Sequence, residues 1–190
     1  RNCGMGPCRI SAKTPRGLCG ADEHTIVGRN FARMVAGGTA AHSDHARDIT
    51  HTLALTKPGG DYQVKEPQKL VEFAKFMDVD PEGKDVYELA HEVAEVCLME
   101  FGKPFGVSKL LKRAPKVRQE IWHNLGIEPR AIDREIATVM HSTHIGCCAD
   151  LEAIIAMSMR CSMADGWAGS MIGTMISLSL IHISEPTRRT

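Results

Sequence analysis

Cys3, Cys8 and Cys19 stand within the first twenty residues at a C-x4-C-x10-C spacing, among Gly4, Gly6, Pro7, Gly17 and Gly20. Thiolates are the usual ligands of iron–sulfur clusters, and a 4Fe–4S cubane takes four of them. Glycines suit such a loop because the backbone can turn tightly and bring N–H groups close to sulfur. The pattern predicts three ligands of a 4Fe–4S cluster, with a fourth cysteine expected just upstream. Zinc is one alternative, but its sites normally show C-x2-C pairs, and none is complete here. A disulfide framework is the other. Seven cysteines in 190 residues is an odd number, and no signal peptide is read before them. A reduced, anaerobic and cytoplasmic setting is expected.

His42, His45, Asp48 and His51 form the second constellation, in the run His42-Ser-Asp-His45-Ala-Arg-Asp48-Ile-Thr-His51. On a helix each step of three residues rises about 4.5 Å and falls about 60° short of a full turn. The four groups then make a slowly spiralling ladder about 13–14 Å long. Neighbouring rungs are within reach of one another or of one bridging water. Imidazole near neutral pH accepts a proton on one nitrogen and releases it from the other. Asp48 can serve as a rung or fix a tautomer, so the ladder is suited to moving protons. The plainer alternative is a solvated helix face with incidental histidines. A metal held by His42 and His45 lacks an evident third and fourth ligand.

A third run, His141-Ser-Thr-His144-Ile-Gly-Cys147-Cys148-Ala-Asp150, mixes metal-ligating types. The expected reading is a junction whose thiols are buried as small hydrophobes and whose Asp150 caps a helix. Cys97 and Cys161 are expected in the core, and Trp122 and Trp167 in core or rim packing.

The elements that must position these groups read as helices. Ala, Leu, Ile and ten Met dominate the apolar content and aromatics make up 5%, which favours helix over sheet. Asp22 is the expected N-cap of a helix reaching about Leu55, with Ile26, Phe31, Met34 and Val35 as its apolar stripe. Gly37 and Gly38 are expected to break or kink it, and Lys57-Pro58-Gly59-Gly60 to end it. Further helices are expected over 68–77, 86–101, 108–113, 116–125, from Pro129, and from Asp150 to about Met163, with a last apolar stretch from Trp167. About eight helices and no strand make an all-α domain. Charge is balanced, 23 basic against 23 acidic residues, so nothing points to nucleic acid or an anionic membrane. The Trp167–Ile183 stretch is at or below the roughly 17–25 residues of a span, and no membrane span is expected.

The tail differs in kind. Leu178–Arg188 reads LSLIHISEPTR, which resembles an in-frame translation of a transposase sequencing adapter. The expected organisation is therefore a cluster-binding loop at 1–21, a helical domain at 22–174 and a non-native tail at 175–190.

The segments NCGMGPCRI, PRGLCGADEHTIVGRNF, AAHSDHARDITHTL, GIEPRAIDREIATVMHSTHIG and ADGWAGSMIGT resemble the catalytic subunit of anaerobic nickel–iron carbon monoxide dehydrogenases over essentially residues 1–174. The resemblance implies the N-terminal helical domain of a larger multidomain α/β enzyme that oxidises CO with water to CO2, two protons and two electrons, reversibly. It implies that Cys3, Cys8 and Cys19 are three of four ligands of a 4Fe–4S relay cluster. The Ni–Fe–S cluster ligands would lie in later domains, so the segment alone would be inactive. It implies that His42, His45 and His51 lie on a proton path, with Asp48 where some members have another His. Cys147 and Cys148 match no cluster ligand. The implied partners are a second copy in a homodimer, a ferredoxin-like electron acceptor and an acetyl-CoA synthase. The competing readings are a hybrid-cluster (prismane-type) redox protein and a non-enzymatic iron–sulfur electron-transfer domain.

Overall fold

The computed structural model describes residues 3, 5–144 and 147–178. Six α-helices carry the described chain: α1 (Glu23–Ala54), α2 (Pro67–Phe76), α3 (Val86–Gly102), α4 (Lys116–Asn124), α5 (Ile132–His144) and α6 (Leu151–Ser177). A short 3-10 helix, Lys109–Arg113, lies between α3 and α4. The only β pairing among the described residues is an isolated bridge between Ser11 and Thr14. The fold is all-α, as expected, with fewer and longer helices than the eight read from the sequence.

The long helix α1 organises the rest. Its 32 residues span about 48 Å at 1.5 Å per residue. Asp22 caps it by accepting from the Thr25 backbone N–H at 2.9 Å, and Glu23 adds negative charge to the first turn, where the helix dipole favours it. Gly37 and Gly38 do not interrupt it, contrary to expectation: a Cβ at either would meet nothing within 4 Å. Their cost is therefore only the backbone entropy of glycine, about 0.5–1 kcal/mol each, which neighbouring packing outweighs.

The inward face of α1 also differs from the expected stripe. Phe31 and Met34 are 56% and 74% exposed, while Thr25, Arg29, Ala32, Ala36, Thr39, Ser43 and Ala46 are buried. Small side chains at this 3–4 spacing let α1 lie close against α6, its principal packing partner. Gly28 marks the tightest approach, since a Cβ there would stand 2.6 Å from Leu151 Cδ1. From Thr25 to Ala46 the inward face is built mostly of small residues, with Arg29 the exception.

Helix α6 runs unbroken from Leu151 to Ser177, so no break separates Met163 from Trp167, and the boundary expected after Thr174 falls inside it. Met175 and Leu178 are fully buried. Residues 179–190, which hold most of the adapter-like string, lie outside the described residues. Two apolar clusters result. The larger joins Ile49 and Leu53 of α1, Leu70 and Phe73 of α2, Leu89, Val93 and Cys97 of α3, and Met171 and Met175 of α6. The smaller joins Ala32, Ala36, Val139, Ile154, Met157 and Cys161. Fully burying a Leu or Met side chain contributes about 1.5–3 kcal/mol. The buried carboxylates are paired: Glu135 takes Arg130 Nε at 2.8 Å, and Glu100 takes Lys103 Nζ at 2.7 Å and Ser108 Oγ at 2.9 Å. Among the described residues no helix is long and apolar enough to cross a membrane.

Candidate functional site

The cysteine loop precedes the N-terminal end of α1, and Cys3, Cys8 and Cys19 line one cavity together with Met5, Ile26 and Arg29. Cys3 is half-buried; Cys8 and Cys19 are exposed. Backbone bonds close the loop: Gly6 N–H to Cys3 O at 3.2 Å, Gly20 N–H to Gly17 O at 2.9 Å and Gly17 N–H to Ala21 O at 2.8 Å. Glycine at position 17 relieves crowding, because a Cβ there would stand 3.2 Å from Cys8 Sγ. The space beside that sulfur is thus kept free by the absence of a side chain.

Donors converge on the sulfurs. The Met5 backbone N–H points at Cys3 Sγ at 3.3 Å. Both terminal nitrogens of Arg29 lie 3.7 Å from Cys19 Sγ. The Cys19 thiol is held below its ordinary value, first by the Ala21 backbone N–H and, against the opposing effect of partial burial, by the Arg29 guanidinium. Both favour the thiolate, which is the metal-ligating form. No group of three or more His, Cys, Asp or Glu among the described residues closes around a single metal ion. The three cysteines line one cavity without gathering around a single point.

The ladder residues His42, His45, Asp48 and His51 all lie on the exposed side of α1, interleaved with buried Ser43, Ala46, Ile49 and Thr50. His42 Nδ1 lies 2.7 Å from Asp165 Oδ1 on α6, so the ladder's first rung is tied across to the neighbouring helix. The helix and its spacing are as read; the partner on α6 was not foreseen.

At the junction of α5 and α6, Asp150 caps α6 by accepting from the Glu152 N–H at 3.0 Å, as expected. Cys147 is exposed, which corrects the reading of both thiols as buried; its Sγ lies 3.7 Å from His141 Nε2. Ile145 and Gly146 lie outside the described residues. Cys97 and Cys161 are buried in the core, and burial pushes the Cys97 thiol up to about 12.

Arg29 is the residue that sequence reading missed. It is 4% exposed and its Nε donates to the Cys148 carbonyl at 2.9 Å. Its signal was a single cation at an inward position of α1, between Thr25 and Ala32.

With this geometry in view, the sequence matches the Prismane/CO dehydrogenase family across residues 1–190. The chain belongs to that family. It is 47% identical, over its whole length, to carbon monoxide dehydrogenase 1 of Methanosarcina acetivorans, of which it covers 31%. It is 34% identical over 98% of its length to the carbon monoxide dehydrogenase/acetyl-CoA synthase subunit beta of Moorella thermoacetica, covering 29% of that protein. A nickel-free crystal structure of carbon monoxide dehydrogenase from Thermococcus sp. AM4 superposes with a TM-score of 0.84 at 45% identity, over 95% of this chain and 29% of the other. A structure of acetyl-CoA synthase/carbon monoxide dehydrogenase superposes with a TM-score of 0.86 at 33% identity, over 94% of this chain and 28% of the other. The chain thus spans about a third of the length of the family members it matches, and its helices correspond to their N-terminal part.

Proposed function

We propose that this chain is the N-terminal helical part of a nickel–iron carbon monoxide dehydrogenase, catalysing CO + H2O to CO2 + 2 H+ + 2 e− reversibly, and that it carries an electron exit and a proton exit. The observation that carries the reading is the convergence of Cys3, Cys8 and Cys19 on one cavity, beside a glycine where a Cβ would press on Cys8 Sγ. That cradle fits a 4Fe–4S cluster better than a single ion. Cys3, Cys8 and Cys19 would hold three of its irons, and a fourth thiolate would come from outside the described cavity. When bound, such a cluster supplies one-electron transfer at low potential.

The chain's own residues do the remaining work. Ala21 N–H and Arg29 favour the Cys19 thiolate, and Met5 N–H is aimed at Cys3 Sγ. Along α1, His42, His45, Asp48 and His51 pass protons outward one imidazole or carboxylate at a time, with Asp165 holding His42 at Nδ1. The Ni–Fe–S ligands lie in later domains, so this segment alone does not turn over. A cytoplasmic homodimer delivering electrons to a ferredoxin-like acceptor is the accompanying proposal. An acetyl-CoA synthase partner is supported by the name of the Moorella relative. The division into loop 1–21, helical domain 22–174 and a non-native tail is likewise proposed; sequencing the locus beyond Thr174 tests it.

The function is tested by producing the full-length polypeptide anaerobically with nickel and following CO-dependent reduction of a viologen dye. Rapid reduction under CO and none under nitrogen is expected. A nickel- and iron-replete enzyme that is inert to CO contradicts the reading and favours the hybrid-cluster class.

A further inference from the structure

Arg29 is a cation in an unusual place. It is 4% exposed, and among the described residues no carboxylate pairs with it. Its contacts are the Cys148 carbonyl, reached from Nε at 2.9 Å and also from Nη2, and Cys19 Sγ, 3.7 Å from both Nη1 and Nη2. Burying a guanidinium without a counter-charge is costly. The site is therefore built for an anion on the sulfur side, and the cavity that Arg29 lines is the one lined by Cys3 and Cys8.

We infer that Arg29 is a positioning and tuning residue that raises the reduction potential of the cluster held by Cys3, Cys8 and Cys19; this rests on the cluster reading proposed above. The physical reason is charge. One-electron reduction adds a negative charge to the cluster and its thiolates, with no bond made or broken. A fixed cation beside Cys19 Sγ stabilises that charge more than it stabilises the oxidised form. Hydrogen bonds to sulfur act in the same direction, and both are recognised determinants of cluster potential. The Cys148 carbonyl gives the guanidinium its aim: it holds Nε so that the two terminal nitrogens face the sulfur. The α5–α6 junction, which contributes no ligand, thus acts on the cluster through Arg29.

The test is a redox titration of the full-length, anaerobically produced enzyme, followed by low-temperature EPR, with dithionite as the electron donor. The relay signal is the one missing from Cys8→Ala. Wild type, Arg29→Gln and Arg29→Lys are compared. Arg29→Gln is expected to keep the signal and to lower its midpoint by about 59 mV or more, a tenfold weaker equilibrium for one electron. Arg29→Lys keeps the charge but cannot hold both the carbonyl and the sulfur, so its midpoint is expected between the two. An unchanged midpoint in Arg29→Gln overturns the inference and leaves the cluster reading intact. Should Arg29→Gln fail to fold, Arg29→Lys decides, and a wild-type midpoint there overturns it. Loss of the signal from both variants makes Arg29 a strut of the loop and overturns the tuning role. Absence of the relay signal from wild type removes the cluster reading itself.

Discussion

Cys19 and Cys97 are the same side chain in opposite surroundings. Cys19 sits on an exposed loop, where the Ala21 N–H and the Arg29 guanidinium lower its thiol pKa. Cys97 lies on α3 among Leu and Val side chains, fully buried, and loss of solvent raises its pKa to about 12. The residue type therefore says nothing about chemistry until the neighbouring donors and the local dielectric are known. Cys19 is kept ionisable, whereas the core cysteines Cys97 and Cys161 are kept protonated and inert.

The sharpest way to break that contrast is to remove a loop thiol. Cys8→Ala in the full-length enzyme should abolish the relay signal and slow electron delivery severely while nickel content stays at the wild-type level. Loss of nickel instead would show that the loop serves the reaction centre and not a relay. Cys97→Ala should leave iron, nickel and the relay signal unchanged.

Thiol alkylation sharpens the same point without activity. In metal-stripped, reduced protein, Cys19 should react with iodoacetamide roughly two orders of magnitude faster than Cys97 near neutral pH, as read by peptide mass spectrometry. Cys19 labelling should begin at lower pH than for an ordinary thiol. Comparable rates would mean that Cys19 is not activated.

The ladder gives a smaller effect. His45→Ala should lower turnover and alter its pH dependence, by less than the roughly 10²-fold typical of losing a positioned acid–base group. The reason is that His45 is exposed, and water can stand in for one rung. A variant with unchanged activity across pH would reduce the ladder to a solvated helix face.

The smallest effect is on stability. The Cys97 thiol ionises near 9.0 when unfolded and at about 12 when folded. The raised value means that the folded chain holds its proton more tightly. Its contribution is complete below the unfolded value and is lost as pH rises from about 9 toward 12. Cys97→Ala should therefore flatten the alkaline fall of stability, at a packing cost of about 1 kcal/mol, as read from denaturant midpoints between pH 8 and 11. An equally steep fall in the variant would assign it to other groups.

Much of this arrangement was legible because it is local. Asp22 and Asp150 cap the helices they were expected to cap, Lys57-Pro58-Gly59-Gly60 follows the end of α1 at Ala54, and the C-x4-C-x10-C loop and the ladder need only sequence neighbours. What was missed depends on residues far apart in the chain. Phe31 and Met34 looked like the inward stripe because they are large and apolar, yet α6 approaches the small-residue face marked by Gly28. Arg29 acquires its role from Cys148, and His42 from Asp165, 119 and 123 residues away respectively. No spacing rule reaches that far.

The most direct test of the central claim compares iron, acid-labile sulfide and low-temperature EPR in the anaerobically produced full-length enzyme and in a Cys3→Ser/Cys8→Ser/Cys19→Ser variant. The loop reading predicts that the variant loses four irons, four sulfides and one reduced-state signal per chain while retaining nickel. Equal iron and sulfide in the two proteins, or zinc bound to the wild-type loop, would contradict it.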